Sequence, residues 1–128
     1  MKYYMTKTMT GEFDAVIDKV TAELKEVGFG ILTDIDVKAT LKKKIDVDFR
    51  PYRILGACNP PFAHQALLAE DKIGVMLPCN VIVQDHGNGN IEVSAMDPAA
   101  VMQGMNNPAL EDMAIEVRQL LEKALQQL

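Results

Sequence analysis

Hydrophobic positions near both ends of the chain recur at the three- and four-residue spacing of amphipathic helices. The first set is Phe13, Val16, Ile17, Val20, Leu24 and Val27, and the last is Leu110, Met113, Val117, Leu120, Leu121, Ala124, Leu125 and Leu128. Thr10 offers an N-cap for the first helix, and Gly28 stands where a left-handed C-cap residue is common. The pattern therefore predicts a long helix in the N-terminal region and another at the C-terminal end.

The central part of the chain has the short apolar runs that are typical of strands. We predict strands over 2–8, 29–37, 52–58 and 91–96, and one interrupted or two short strands over 75–77 and 81–84 around Pro78. The Asn-Gly pattern between His86 and Asn90 predicts a hairpin turn. Shorter helices are expected over 37–45, over 60–70 with Asn59 as N-cap, and from Asp97-Pro98 to about Met105.

This order of elements predicts the α+β class, with an antiparallel sheet between the two long helices. The chain has 128 residues, of which 48% are hydrophobic and 24% charged. A domain of this size buries enough surface to fold without a disulfide or a metal. We find no linker or low-complexity tract, so residues 1–128 are expected to form a single domain.

The charges are unevenly distributed along the chain. Thirteen basic and eighteen acidic residues give a net charge of -5, which argues against a nucleic-acid partner. Six cations nevertheless cluster within sixteen positions and could form a local anion-binding surface: Lys38, Lys42, Lys43, Lys44, Arg50 and Arg53. The alternative is a solvated basic helix face and one satisfied arginine.

Two cysteines are too few for a disulfide scaffold, and the first residues lack the apolar core of a secretory signal. The most apolar window, from Ile73 to Val83, is too short to span a bilayer and contains Pro78 and Asn80. We therefore expect a cytoplasmic protein with free thiols and no membrane partner.

Cys58 is the most suggestive residue for chemistry. It directly precedes the expected cap Asn59, and a thiol at a helix N-terminus is favoured as thiolate. His64 follows within the same predicted helix, so the two residues could act as nucleophile and base. The alternative is a buried thiol that ends an apolar strand, and we assign no catalytic residue beyond these two candidates.

Cys79 lies in a Cys-Asn context like that of Cys58. If the two thiols meet on neighbouring strands, Cys58, His64 and Cys79 could hold a soft metal, with Asp97 or His86 as a fourth ligand. The spacing matches no zinc signature, and His86 is expected to be a solvated turn residue. Four methionines could suggest copper, although filling of the core is the favoured interpretation: Met96, Met102, Met105 and Met113.

Several stretches together resemble a known family. They are Tyr52-Arg53-Ile54-Leu55-Gly56-Ala57-Cys58-Asn59-Pro60-Pro61, Ala63-His64, Ala66-Leu67, Ile73-Gly74, Leu77-Pro78-Cys79-Asn80-Val81, Val93-Ser94, Asp97-Pro98 and the segment from Gly28-Phe29-Gly30 to Asp36. Over essentially the whole chain the sequence resembles the bacterial and archaeal domain-of-unknown-function family 302. The resemblance implies a fold like that of the TATA-box-binding protein (β-α-β(4)-α, with extra short helices) and a small cytoplasmic homodimer. It implies no function and no cofactor.

Three functional hypotheses follow, and they belong to different classes. The first is a binding domain, without enzymatic activity, for a small, anionic or other ligand or a soft metal near Arg53, Cys58, Asn59, His64 and Cys79. The second is a homodimeric interaction or regulatory module that uses the C-terminal helix or a sheet edge. The third is a thiol-dependent enzyme that uses Cys58 and His64.

Overall fold

The computed structural model describes residues 2–128 and has five strands and five α-helices. The strands are β1 (Tyr4–Thr10), β2 (Gly30–Asp36), β3 (Tyr52–Cys58), β4 (Cys79–Asp85) and β5 (Asn90–Met96). The helices are α1 (Phe13–Glu26), α2 (Val37–Ile45), α3 (Pro60–Ala69), α4 (Pro98–Val101) and α5 (Pro108–Gln126), and a 3-10 turn covers Ile73–Met76. The predicted α+β class, with its antiparallel sheet and two long helices, is confirmed.

All five strands form one antiparallel sheet in the order β1-β5-β4-β3-β2. The first two strands of the chain therefore lie at opposite edges of the sheet, and α1 crosses the sheet to connect them. In β5, the alternate residues Ile91, Val93 and Ala95 are all buried and face the core.

The core lies between one face of this sheet and the helices α1 and α5. Its helical members are Val16, Ile17, Val20, Leu24, Val117, Leu121, Ala124 and Leu125. A second, smaller cluster contains Ala66 of α3, Ile73, Met102, and Leu110 and Ala114 of α5. The N-terminal part of α5 thus packs away from the main core, against the neighbourhood of α3.

Some sequence predictions are corrected at the ends of elements. Thr10 does not cap α1, because it still belongs to β1 and pairs with Asn90. Glu12 is the N-cap instead, and its carboxylate accepts hydrogen bonds from the backbone N–H groups of Asp14 and Ala15. Gly28 does adopt the expected left-handed conformation after α1, with φ of 94°.

Three further predictions around the second half of the chain need correction. The expected strand over 75–77 is part of the 3-10 turn, and the strand β4 begins only after Pro78. α4 ends at Val101, well before Met105. Asn59 precedes α3 as predicted, but its side chain makes no capping hydrogen bond.

Candidate functional site

A cavity of about 350 Å³ lies where the ends of β3 and β4 meet α3, α4 and the first turns of α5. The sheet contributes Ala57, Cys58 and Cys79, α3 contributes Phe62, Ala63, Ala66 and Leu67, and α5 contributes Leu110, Met113, Ala114 and Val117. Almost all of the lining atoms are apolar. The cavity joins the main core to the second cluster, which shares Ala66, Met102, Leu110 and Ala114 with its wall.

Alanines explain why this space stays open. Ala57, Ala63, Ala66 and Ala114 line the cavity from three different elements. Their side chains end at Cβ, so these positions fill less of the space between the sheet, α3 and α5 than larger apolar residues would. A cavity with apolar walls offers water few hydrogen-bond partners, and this favours an apolar occupant.

The mouth of the cavity exposes large apolar side chains. Leu32 and Leu67 line the cavity, yet they are 67% and 43% exposed. Leu32 lies at an irregularity in the pairing of β2 with β3, between Ile31 and Thr33. Such bulges re-aim a side chain, and this one places Leu32 at the mouth.

Both cysteines border this cavity. Cys79 pairs with Ala57 in the sheet, so Cys58 lies one position further along the neighbouring strand. Both thiols are free. Burial, together with the nearby Cys58 thiol, raises the pKa of Cys79 to about 11. Cys79 is therefore a neutral thiol at physiological pH, whereas Cys58 is only half-buried.

Of the five predicted ligand-binding residues, Cys58, Asn59 and Cys79 line the cavity, and Arg53 and His64 do not. His64 is exposed on α3. No hydrogen bond among the described residues 2–128 links it to Cys58, so the structure does not assemble the expected pair of nucleophile and base.

Arg53 is occupied by a neighbouring carboxylate. Its Nε donates to Asp34 Oδ1 at 2.7 Å and its Nη2 to Asp34 Oδ2 at 2.5 Å. This paired hydrogen bond lowers the pKa of Asp34 and raises that of Arg53. The guanidinium group of Arg53, which was expected to bind an anionic ligand, is therefore already hydrogen-bonded to Asp34.

The other cations of the predicted anion-binding cluster lie away from the cavity as well. Lys42 forms ion pairs with Asp46 and Asp48, and Arg50 donates to Gln84 Oε1 at 2.9 Å. None of the six clustered cations lines the cavity. The structure therefore supports the alternative, a solvated basic helix with satisfied arginines.

The two further metal-ligand candidates are also engaged elsewhere. The buried Asp97 accepts hydrogen bonds from Ala99 and Ala100 and from Arg118 Nε at 2.8 Å. His86 lies beyond the far end of β4 from Cys79, with its Nε2 3.5 Å from Glu92 Oε1. Within residues 2–128, no group of three or more His, Cys, Asp or Glu side chains is placed to hold a metal.

Sequence reasoning missed most of this cavity. The alanines of α3 and α5, and Leu32, carried no chemical signal in the sequence. A weak signal did exist, because Ala63, Ala66 and Ala114 fall on the apolar faces of their helices, where larger side chains are usual. The methionines of the sequence gave a second signal for the cavity. Met102 and Met113 line it, whereas Met96 and Met105 do not.

The fold and this cavity define a class of protein, a single-sheet α+β domain with an apolar pocket at one end of the sheet. The sequence model of the family described as "Domain of unknown function DUF302" matches residues 5–128. The chain belongs to this family, as its motifs predicted.

A solved structure agrees with this assignment. The chain is similar to "uncharacterized conserved protein DUF302 from Bacillus stearothermophilus", with 29% sequence identity and a TM-score of 0.90. The match covers 99% of this chain and 98% of that one. No curated protein matches the chain significantly. The likeness to the TATA-box-binding protein stays a prediction.

The structure also bears on the membrane question. No helix within residues 2–128 is both long enough and apolar enough to cross a bilayer.

Proposed function

We propose that this protein is a binding module that takes up a small, largely apolar molecule in the cavity between β3, β4, α3 and α5. The observation that carries the proposal is the cavity itself, with its apolar lining and its volume of about 350 Å³. Pockets for small molecules start at roughly 300 Å³ and are lined mainly by apolar side chains with a few polar groups. Here the polar or polarisable groups are the Asn59 amide and the sulfur atoms.

The size and charge of the wall limit the ligand. A dry cavity of about 150 Å³ holds one benzene molecule, so this larger cavity with an open mouth suits a molecule of roughly two to three aromatic rings. Among residues 2–128, no Lys, Arg, Asp or Glu lines it, and an ionic group buried there would lack a counter-charge. A neutral ligand is therefore favoured over the anionic ligand that the sequence suggested.

The exposed mouth supports the same function. Leu32 and Leu67 remain partly in water although they border the cavity. A ligand that enters would cover part of this surface, and the removal of apolar surface from water favours binding by about 25 cal/mol per Å².

Binding of N-phenyl-1-naphthylamine, a neutral fluorescent probe with three aromatic rings, tests the proposal. Its fluorescence rises in apolar surroundings and gives a dissociation constant by titration. Ala63→Phe should fill the cavity from α3 and weaken binding at least about tenfold, a loss of roughly 1.4 kcal/mol. Ala109→Phe is the matched control, because Ala109 is exposed on α5 and does not line the cavity.

Two results would count against the cavity as the binding site. One is a wild-type protein that does not bind the probe, and the other is equal affinity in Ala63→Phe and the wild type. A thermal melt of each variant shows whether it is folded. If Ala63→Phe fails to fold, Ala114→Leu fills the same space from α5 and replaces it.

As a second candidate function, we propose a homodimer formed through the sheet face opposite α1 and α5. Ile54 and Ile82 are direct cross-strand partners on this face and are only half-buried, and Ile35 pairs with Ile54 and is 48% exposed. A second copy of the chain would cover this apolar row. Light scattering should give the dimer mass for the wild type and for Gln119→Lys, a change at an exposed position of α5 away from this face, but the monomer mass for Ile82→Lys. A wild-type monomer at micromolar concentration would refute the dimer.

A further inference from the structure

We propose that the cavity contains a site for a soft monovalent cation of the Cu(I) class, with Cys58, Cys79, Met102 and Met113 as its sulfur donors. This goes beyond the uptake of an apolar molecule and does not rest on it. It also replaces the donor set that the sequence suggested, in which His64 stood beside the two cysteines.

The fold brings these four sulfur-containing residues to the wall of one cavity from four parts of the chain. Cys58 and Cys79 come from the adjoining ends of β3 and β4. Met102 directly follows α4, and Met113 lies in the second turn of α5. All four line the same cavity. In the part of the chain that the structure describes, the Asn59 amide is the only other side-chain group with a polar atom in the wall.

The donor type selects the ion. Thiolates and thioethers are soft ligands that favour Cu(I), whereas Mg²⁺ and Ca²⁺ require oxygen ligands. No carboxylate or imidazole of the described residues lines the cavity. This agrees with the lack, across residues 2–128, of any cluster of three His, Cys, Asp or Glu ligands. The methionines therefore complete a site that cysteines alone would leave two-coordinate.

Charge balance favours a monovalent ion. When Cu(I) binds Cys58, the S–H bond breaks, a copper–sulfur bond forms and the proton leaves to solvent, with no change of oxidation state. Cys58 is the less buried of the two thiols, so its proton has the shorter path to water. One thiolate and one monovalent cation cancel, and the remaining donors are neutral, so no net charge is buried in the apolar cavity.

Methionine suits the closing of such a site. Its side chain has three rotatable bonds and adapts to irregular gaps. Met102 is buried and Met113 half-buried, and both residues line the cavity together with the two cysteines. Rotation about their side-chain bonds would let the two thioethers reach an ion that the thiols hold.

Competition for Cu(I) with the chromophoric chelator bicinchoninate, under anaerobic conditions, tests this site. The wild type should withdraw one equivalent of Cu(I), and native mass spectrometry should show one added copper. The variant Cys58→Ser/Cys79→Ser should lose at least about 100-fold in affinity, and Met102→Leu/Met113→Leu about 10-fold. Met105→Leu is the matched control, because Met105 lies outside the cavity and should bind like the wild type.

Three outcomes would overturn the proposal. The wild type takes no copper from the chelator, the double cysteine variant binds as tightly as the wild type, or Met102→Leu/Met113→Leu does not differ from Met105→Leu. Isosteric Ser and Leu replacements keep the side-chain volume, and a thermal melt confirms the fold of each variant. The outcome is independent of the apolar probe, because copper binding is measured without it and probe binding is measured without copper.

Discussion

Replacing Gly56 by alanine should destabilise the protein, because no room exists for a methyl group at this position in the middle of β3. A Cβ built on Gly56 would overlap Thr33 Oγ1 of the neighbouring strand and would lie 2.7 Å from Pro78 Cγ on the other side. Thr33 belongs to β2, and Pro78 directly precedes β4. Either the backbone of β3 or both of these neighbours must therefore shift.

The expected cost follows from these contacts. Overpacking by one methyl group typically costs about 1–3 kcal/mol. Alanine also has fewer backbone conformations than glycine in the unfolded chain, and this stabilises the folded protein by about 0.4–1 kcal/mol. Because two contacts are violated at once, we expect a net loss near the upper half of this range, about 2 kcal/mol.

Urea denaturation of Gly56→Ala beside Gly30→Ala measures this effect. Gly30 also lies in a strand, at the start of β2, but a Cβ there meets no heavy atom within 4 Å. Gly30→Ala should therefore be neutral or stabilising by less than about 1 kcal/mol. The difference between the two variants isolates the steric term from the change in backbone entropy.

Equal midpoints for the two variants would refute the steric argument. A second comparison separates the contributions of the two contacts to the loss of stability. Thr33→Ala removes the hydroxyl that the new methyl group would overlap, so Thr33→Ala/Gly56→Ala should recover part of the loss relative to Gly56→Ala. Full loss in the double variant would assign the clash to Pro78 alone.

Three further predictions concern buried or paired polar groups. Asp97→Ala should cost about 2–3 kcal/mol in urea denaturation, because it removes the cap of α4 and leaves Arg118 without its buried partner; a loss below 0.5 kcal/mol would refute this role. Burial raises the pKa of Cys79 to about 11 in the folded protein, against 9.0 for an ordinary thiol. The free energy of unfolding should therefore fall by at most about 2–3 kcal/mol as the pH rises from about 9 to 11, because the unfolded chain loses this proton at a lower pH than the folded protein. This fall should vanish in Cys79→Ala. Asp34→Asn should cost less than about 1 kcal/mol at neutral pH, since its pair with Arg53 is partly exposed. Because Arg53 lowers the pKa of Asp34, that contribution is lost only as the pH falls through the lowered value.

Local pattern was sufficient to predict most of the elements. The bounds of α2 and β3 agree with the sequence, and α5 covers the predicted C-terminal helix from Leu110 to Leu125. The failures occur where tertiary pairing outweighs local preference. Thr10 is a good N-cap residue, but hydrogen bonds to β5 keep it in the strand. The short apolar run over 75–77 has the composition of a strand but lies outside the sheet.

The candidate site was harder to predict, because it depends on which elements meet. The order of strands places Cys58 and Cys79 on neighbouring strands. The sequence does not determine this order, so it could not predict that the two cysteines lie close together. Arg53 and His64 were chosen for their chemistry, yet a partner carboxylate and the outward face of α3 determine where they lie. The alanines that leave the cavity open have no reactive group at all, so only the packed structure shows their role.

The opposite positions of β1 and β2 in the sheet also determine when the fold can close during synthesis. β1 leaves the ribosome before the other four strands, but its partner strand among the described residues 2–128 is β5, the last of the five, and Tyr4 pairs with Met96. Chains grow at roughly 5–20 residues per second, so β1 waits for several seconds with its backbone hydrogen-bonding groups unpaired. The threonines at positions 6, 8 and 10 keep one side of this waiting segment polar. The nascent chain therefore depends on a hydrophilic first strand to avoid pairing with other chains before residue 96 has emerged.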